Sequence, residues 1–353
     1  MRKGILSLVL LSGLLSVPVF ADTLRLRDDA PQRYVVKKGD TLWAISGKFL
    51  KSPWRWPELW QMNKQEVKNP HWIYPGEVLV LASCDGKPCL KRERDIGVTG
   101  KLHPQIRTEN LDGQAVTTLP MSIIRPFLTR PLVIEKDAML TNPRVVAGPE
   151  NRVMMAEGDK VYVVDLDKHQ GQAGSQWQAY RPGKALIDPS VPEDKKSGSH
   201  ILGYEAVYLG DASTLAVAEV STLKLTNSVQ EVMFGDRLTP GDAETSAAFV
   251  PHEVGEDFKG RVISAVGGVS EAGQYSVIVL NRGGKQGVER GHVVGLYKAG
   301  RLVKKETKGE PDRYTPSEQY GVAMIFRVFE NVSYALVMES TDAVHVLDEA
   351  KKP

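Results

Sequence analysis

Cysteine is scarce in this chain of 353 residues, which contains only Cys84 and Cys89. They stand in the segment Cys-Asp-Gly-Lys-Pro-Cys, whose spacing differs from that of a CxxC redox motif, and a zinc site would need two further ligands nearby. Asp85, Gly86 and Pro88 favour the tight turn that a short disulfide loop requires. We therefore predict a structural disulfide between Cys84 and Cys89, as is usual for two close cysteines in an exported protein.

An excess of charge of one sign is also absent. The chain has 45 Lys and Arg against 43 Asp and Glu, and without Arg2 and Lys3 the two numbers are equal at 43. A general nucleic-acid-binding protein would show a basic excess, so the composition argues against that class. The charge is nevertheless uneven, because residues 33–82 contain eight basic and four acidic residues.

Long apolar runs are confined to the N-terminus. Arg2 and Lys3 precede the apolar residues 4–15, and the side chains before Asp22 have the sizes of a secretory cleavage site, so we predict a signal peptide over residues 1–21 that is cut between Ala21 and Asp22. The run is shorter than the ~20 apolar residues that cross a bilayer, which argues against the alternative of a membrane anchor. No later stretch approaches that length, so we expect a mature chain that does not span a membrane.

Aromatic residues make up only 7% of the chain, yet five of the six tryptophans fall between residues 34 and 81. In this stretch Tyr34–Val36 is typical of a strand, and Asp40 after the Gly39 turn is typical of a helix N-cap. Apolar residues then recur at helical spacing, Pro57 suits the start of a second helix, and residues 78–81 are typical of a returning strand. We predict a βααβ module over residues 33–82. The tryptophans in it are Trp43, Trp54, Trp56, Trp60 and Trp72.

The motifs of this module resemble those of the LysM domain, a small fold that binds peptidoglycan and chitin. They are Tyr34-Val35-Val36, Gly39-Asp40-Thr41-Leu42-Trp43-x-Ile45, Leu59-x-x-Met62-Asn63 and Ile73-x-Pro75-Gly76-x-x-Leu79. Residues 50–56 depart from the family, since they form a longer and more tryptophan-rich link than a minimal LysM domain has. The resemblance implies binding to glycan that contains N-acetylglucosamine, in a groove between two loops. The first loop would contribute Gly39, Asp40, Thr41 and Leu42, and the second Asn69, Pro70, His71, Trp72, Ile73 and Tyr74.

Several of these residues also have a structural interpretation. Asp40 can cap the helix instead of contacting sugar, and both roles stay open. Trp43 lies on a predicted helix and is expected in the core, whereas Tyr74 lies in a loop and is expected at the groove or its rim. The flat apolar surface that a sugar ring needs is expected from Leu42, Ile73 and an aromatic ring.

After the module the helical periodicity ends and strand-like segments dominate. The predicted fold class is multidomain α+β, with a small βααβ LysM module followed by a predominantly β C-terminal region. Matches between residues 216–221 and 335–340, and between residues 232–240 and 344–353, indicate an internal duplication. The expected segments are a disulfide loop and linker at 83–96, a first β-rich region at 97–240, a linker at 241–260 and a second β-rich region at 261–353.

Enzymes that accompany LysM domains have signatures that the sequence lacks. The seven histidines form no His-x-His pair of a LytM-type zinc peptidase. The predicted disulfide removes the thiol that an L,D-transpeptidase or an NlpC-type peptidase would use. The C-terminal region is not helical, as a lytic transglycosylase would require. We therefore predict a protein that is not an enzyme, with no catalytic residue, no metal site and no cofactor.

The order of signal peptide, one LysM module, a cysteine pair and a long β-rich region resembles the family of LysM proteins associated with the type IV pilus secretin (TsaP). The C-terminal part of that family is similar to the flagellar ring protein FlgT. The resemblance implies a periplasmic anchor of the Gram-negative envelope, which grips peptidoglycan and tethers the outer-membrane secretin or a related envelope ring. The alternatives are a peptidoglycan hydrolase or hydrolase activator, and a wall-bound component of a flagellar ring. The strings that add to the resemblance are Ile124-Arg125-Pro126-Phe127-Leu128, Gly158-Asp159-x-Val161-Tyr162-Val163 and Val279-Leu280-Asn281-Arg282-Gly283.

Overall fold

The computed structural model describes residues 24–60, 73–93, 119–129, 133–188, 191, 200–241, 250–266, 271–298, 300 and 315–353. The predicted cleavage site at Ala21 and Asp22 and the predicted groove residues Asn69, Pro70, His71 and Trp72 lie outside these ranges. In the part of the chain that is described, no helix is long and apolar enough to cross a membrane. Strands predominate there over helices, so the predicted excess of β structure after the N-terminal module is confirmed.

The N-terminal module packs two short helices against a three-stranded sheet. In chain order it contains β1 (Arg33–Val35), α1 (Leu42–Phe49), a 3-10 turn (Pro53–Arg55), α2 (Trp56–Leu59), β2 (Val78–Cys84) and β3 (Lys87–Arg92). The sheet is antiparallel and has the order β1-β2-β3. The apolar sides of the helices and the sheet close one small core, as two packed layers must. That core contains Val36, Leu42, Ile45, Phe49, Leu50, Trp56, Leu59, Ile73, Leu79 and Leu90.

The N-cap of α1 is Thr41 and not Asp40. Thr41 has an extended backbone, and its side chain accepts a hydrogen bond from the Ala44 amide at 3.1 Å. Asp40 closes the preceding turn instead, where its Oδ2 accepts from the Lys37 amide at 2.8 Å. The prediction that Asp40 caps the helix was therefore wrong. Aspartate and threonine are both good caps, so a sequence that offers them side by side does not decide between them.

The predicted disulfide between Cys84 and Cys89 is confirmed, and their Cα atoms are 5.8 Å apart. It links β2 to β3 across a hairpin in which these strands pair directly. Asp85 and Gly86 have φ values of +50° and +77°, as a two-residue type I′ turn requires. Residues expected to form a loop and linker thus add a third strand to the sheet, and Leu90 of this strand is buried in the module core.

A first closed barrel follows, preceded and flanked by two further helices. Its segment contains α3 (Met121–Thr129), β4 (Val133–Ile134), α4 (Lys136–Thr141), β5 (Arg144–Ala147), β6 (Met154–Met155), β7 (Lys160–Val164), β8 (Gln176–Ile187), β9 (Ile201–Ala216), β10 (Val220–Ser228), β11 (Val232–Met233) and β12 (Arg237–Pro240). Six strands pair antiparallel in the order β10-β7-β5-β12-β8-β9, and pairing of β9 with β10 closes the ring. Side chains alternate between core and surface along these strands, so Leu223 and Leu225 are buried while Lys224 is exposed.

A second closed barrel is formed by the C-terminal residues. Its elements are β13 (His252–Glu253), β14 (Gly260–Ala265), β15 (Glu271–Ala272), β16 (Val277–Leu280), β17 (His292–Lys298), β18 (Glu318–Val328), β19 (Ser333–Ser340), β20 (Val344–His345) and β21 (Glu349–Lys351). The ring has the order β17-β18-β19-β16-β14-β21 and is closed by pairing of β17 with β21. β13 pairs in parallel with the first two residues of β17, before the part of β17 that pairs with β21.

The two barrels have the same connectivity, with β5–β12 corresponding strand for strand to β14–β21. Asp236 and Asp348 are equivalent, because each carboxylate accepts a hydrogen bond from the amide three residues earlier, at 2.7 and 2.8 Å. The predicted match of residues 232–240 with 344–353 therefore has the correct register at Val232 and Asp236 but not at its end, where Pro240 corresponds to Lys352 and not to Pro353. The predicted match of residues 216–221 with 335–340 was wrong, since the first segment spans the turn between β9 and β10 while the second lies within β19.

The second barrel is apolar on its outside as well as its inside, because part of its outer wall is covered. On β18, Ile325 belongs to the barrel core, whereas its neighbour Met324 belongs to a separate outer cluster. That outer cluster also contains Ile124 of α3, together with Trp43 and Trp54 of the N-terminal module. A nearly continuous apolar strand is typical of burial on both faces. The module is therefore packed directly against the second barrel.

Candidate glycan-binding site

Two loops of the module are joined by backbone hydrogen bonds just beyond the end of β1. The Val36 amide donates to the Glu77 carbonyl at 2.9 Å, and the Gly76 amide donates to the Val36 carbonyl at 2.8 Å. These bonds continue the antiparallel ladder between β1 and β2. Residues 37–42, the first groove loop, and residues 73–77, the second groove loop, therefore lie side by side.

The first groove loop is held in shape by Asp40. Its Oδ2 accepts hydrogen bonds from the Lys37 amide at 2.8 Å and from the Tyr34 hydroxyl at 2.9 Å. Burial, reinforced by the hydrogen bond to Asp40, raises the pKa of Tyr34 to about 12. Gly39 has a φ of +92°, which a side chain would strain. These contacts give Asp40 a structural role in the loop, while its contact with sugar stays a prediction.

The second groove loop is a turn formed by residues 74–77. The Glu77 amide donates to the Tyr74 carbonyl at 3.1 Å, and the Tyr74 amide donates to the Glu77 carboxylate at 3.2 Å. Pro75 followed by Gly76 with a φ of +92° is the arrangement of a type II turn. The turn leaves Tyr74 38% exposed beside the first groove loop.

The predicted groove residues that the structure describes fall into two layers. Gly39, Asp40, Thr41 and Tyr74 are exposed or partly exposed, so a ligand can reach them. Leu42 and Ile73 are buried in the module core, where they can support a binding surface only from beneath. Among the described residues of the two loops, the exposed apolar surface on which a sugar ring could lie is therefore supplied by Tyr74.

The groove loops and the barrel contact use different parts of the module. A Cβ atom added to Gly39 or Gly76 would meet nothing within 4 Å, so both loops face open space with respect to the described residues. The barrel is contacted instead by Trp43, whose Nε1 lies 3.4 Å from the Glu339 carboxylate. Trp43 is buried, as predicted, but it belongs to the outer cluster of the second barrel and not to the core of the small module where it was expected. The tryptophan-rich departure at residues 50–56 was the available signal.

The N-terminal module matches a known protein family. Residues 34–82 match the family model described as LysM domain, so the chain contains a LysM domain at the predicted position. LysM is a binding module for peptidoglycan and related glycans that contain N-acetylglucosamine. The domain therefore indicates that this chain binds such glycans.

A curated relative is similar to a small part of the chain. "Uncharacterized protein YqbP" of Bacillus subtilis (strain 168) is 42% identical to it over 61 residues. The alignment covers 15% of this chain and 28% of the relative, so the similarity concerns a small segment of both proteins.

Proposed function

We propose that this protein is a non-enzymatic periplasmic anchor. Its LysM domain binds the N-acetylglucosamine-containing glycan of the cell wall, and its barrels tether an outer-membrane complex, the type IV pilus secretin, to that wall. The observation that carries the proposal is a LysM domain with accessible groove loops that is itself packed on a barrel. The choice of the secretin rests on the resemblance in domain order.

Packing on the barrel suits an anchor because it gives the glycan-binding domain a fixed orientation. The indole N–H groups of Trp43 and Trp54 point to the carboxylates of Glu339 and Glu253, each at 3.4 Å. The two indole rings also contact each other, with centroids 6.3 Å apart. Large aromatic side chains dominate the energetics of such contacts. A pull on the glycan is therefore transmitted to the second barrel through packed side chains.

The two barrels are themselves connected by hydrogen bonds between side chains. Asn281 of the second barrel donates to the Asp188 carboxylate beyond β8 at 2.8 Å. Asn331 donates to the Glu135 carboxylate beside β4 at 3.2 Å, and burial raises the pKa of Glu135. LysM domain and barrels thus form a continuous series of contacts, as expected of a scaffold that holds a partner at a set distance from the wall.

The state of the cysteines agrees with a role without catalysis. Cys84 and Cys89 are bonded to each other. Neither sulfur can act as a thiolate nucleophile while the bond is intact. We therefore infer that the role of the two cysteines is to stabilise the hairpin.

Sedimentation with purified peptidoglycan tests the glycan-binding half of the proposal. The full chain should pellet with the wall. Tyr74→Ala should weaken binding by roughly 3- to 10-fold, because a sugar that covers one face of the ring should contribute about half of the roughly 1.5–3 kcal/mol that full burial of a large apolar side chain contributes. Tyr275→Ala is the matched control, since Tyr275 of the second barrel is 41% exposed and thus similar to Tyr74. Equal pelleting of the two variants would show that the glycan does not lie on Tyr74.

The same fractions test the partner and the absence of catalysis. Secretin from an envelope extract should pellet with the wall only when the full chain is present, and less of it should pellet with Tyr74→Ala. If the wall pellets the protein but no secretin follows, the barrels serve another envelope complex, such as a flagellar ring. A clear zone on a peptidoglycan zymogram from purified protein would overturn the non-enzymatic role in favour of a hydrolase.

A further inference from the structure

Two histidines that are 40 positions apart in the sequence meet where β13 pairs with β17. His252 lies opposite His292 in this parallel pairing, and the centroids of their rings are 4.5 Å apart. Gly291 permits the approach, since it has a φ of +96° and a Cβ atom there would overlap the carbonyl oxygen of Val250. The backbone is thus shaped to bring residues 250–252 against the start of β17.

Glu289 completes a group of three metal-ligating side chains. One ligand atom from each of His252, Glu289 and His292 lies within 4.8 Å of the others. Nδ1 of His252 is 3.0 Å from the Val250 carbonyl, which can only accept, so Nδ1 carries the proton. The lone pair of the neutral ring is then on Nε2, 3.9 Å from the Glu289 carboxylate. A carbonyl that orients a histidine in this way is typical of the surroundings of a metal site.

The first barrel has the same turn without these ligands. Gln172 and Ser175 occupy the positions of Glu289 and His292. The Gln172 amide donates to Ser175 Oγ at 3.1 Å, just as the Glu289 amide donates to His292 Nδ1 at 3.0 Å. A serine hydroxyl is therefore sufficient to accept the hydrogen bond that closes the turn. The carboxylate of Glu289 and the imidazole of His292 are thus not explained by the fold alone.

We propose that His252, Glu289 and His292 bind a divalent transition-metal ion such as Zn²⁺. Two imidazoles and one carboxylate are a donor set that suits Zn²⁺ and leaves a fourth position for water. Zinc–ligand bonds of about 2.0–2.2 Å require the three ligand atoms to approach each other. Glu289 can make this adjustment because its side chain is 75% exposed. In the neutral His292 ring Nδ1 accepts from the Glu289 amide, so Nε2 carries the proton. The ion binds either at Nδ1 in place of this hydrogen bond or at Nε2 after the proton has moved to Nδ1, so the amide hydrogen bond is lost in both cases. Because the ion needs the neutral ring, its binding also competes with protonation of His292.

The position of the site links the ion to the LysM domain. Glu253, which follows His252 on β13, faces the indole N–H of Trp54 in the LysM domain. Val250, which precedes His252, packs against the LysM core. An ion held by His252, by Glu289 in the turn before β17 and by His292 at the start of β17 would therefore tie this segment to the barrel. Metal binding should stabilise the packed arrangement of LysM domain and second barrel, whether or not glycan is bound.

Calorimetric titration of Zn²⁺ into the metal-free full chain, purified without a histidine tag, tests the site. The double variant Glu289→Gln/His292→Ser copies the turn of the first barrel and should lower the Zn²⁺ affinity at least about tenfold. His345→Gln is the matched control for surface histidines, since His345 lies 3.5 Å from the Glu271 carboxylate in another part of the barrel. This control should bind Zn²⁺ as the wild type does.

Two further readouts distinguish loss of the site from loss of the fold. In the presence of chelator, the double variant should show the circular dichroism spectrum and the melting temperature of the wild type. Saturating Zn²⁺ should slow deuterium exchange in residues 250–266 of the wild type and leave the double variant unchanged. Absence of submillimolar Zn²⁺ binding by the wild type, or equal binding by the double variant, would overturn the site. Binding without protection of residues 250–266 would overturn its link to the LysM domain.

Discussion

Replacing Trp43 by alanine should detach the LysM domain from the second barrel while both keep their own folds. Trp43 is only 3% exposed, and its neighbours belong to the outer cluster of the barrel and not to the LysM core. The cores of the two units do not contain it. The substitution therefore removes one of the two tryptophans from the contact, to which Trp54 and Val250 also contribute, and leaves each core intact.

The expected loss follows from the area that Trp43 buries. A tryptophan side chain buries about 150–250 Å², which at about 25 cal/mol per Å² corresponds to roughly 4–6 kcal/mol. This figure is an upper bound, since an unfolded or detached chain already hides part of its apolar surface. Measured substitutions of buried aromatic residues by alanine cost about 3–5 kcal/mol. The hydrogen bond to Glu339 adds little because it is long, at 3.4 Å. The ratio of packed to detached molecules should thus fall by at least about 100-fold.

Fluorine NMR of protein labelled with 5-fluorotryptophan measures this change at single residues. Trp54 reports on the contact, since it lies in the outer cluster beside Trp43. Trp56 reports on the LysM core and Trp177 on the first barrel core, and both are buried. In Trp43→Ala the solvent isotope shift of Trp54 should rise towards that of an exposed indole. The shifts of Trp56 and Trp177 should stay unchanged.

Trp60→Ala is the control for general damage to the LysM domain. Trp60 packs edge-on against Trp56 within that domain, with ring centroids 6.2 Å apart. This variant should alter the Trp56 signal and spare that of Trp54. If Trp43→Ala instead exposes Trp56 as much as Trp54, Trp43 stabilises the LysM fold itself. If Trp54 stays protected, the contact with the barrel does not depend on Trp43, and in either case the reasoning fails.

Two other predictions concern the sheet and the first groove loop. Replacing Cys84 and Cys89 together by serine should lower the free energy of unfolding of the LysM domain by about 2 kcal/mol, because the loop that the disulfide closes is short; an unchanged urea midpoint would contradict this. Tyr34 should titrate near its pKa of about 12 in NMR of labelled tyrosine rings, with Tyr34→Phe for assignment. Because this pKa is raised above that of the unfolded chain, its contribution to stability is present below about pH 10 and is lost as the pH rises through about 12. Asp40→Asn should lower the pKa of Tyr34 part of the way towards its ordinary value. If Tyr34 titrates at its ordinary value in the wild type, the contact with Asp40 is refuted.

Features that depend on neighbouring residues were accessible from the sequence. Gly39 and Gly76 occupy turns that need positive φ, the helical spacing after Gly39 marks α1, and Pro75 marks the second turn. The two cysteines are close enough that their bond depends mainly on the turn between them. The LysM domain, its main elements and its disulfide were predicted for this reason. The choice of Thr41 over Asp40 as N-cap was not, because both side chains can accept the same kind of hydrogen bond.

Features that depend on distant residues were decided by the tertiary structure. An apolar strand such as β18 signals burial on both faces, but not which surface covers it, so the contact of Trp43 with the second barrel was not predictable. The register of the duplication was predicted correctly only in part, since strand pairing across many residues is set by packing and not by local preference. His252 and His292 were for the same reason not seen as a pair. They become neighbours only because β13 pairs with β17, and this pairing depends on contacts between residues that are far apart in the sequence.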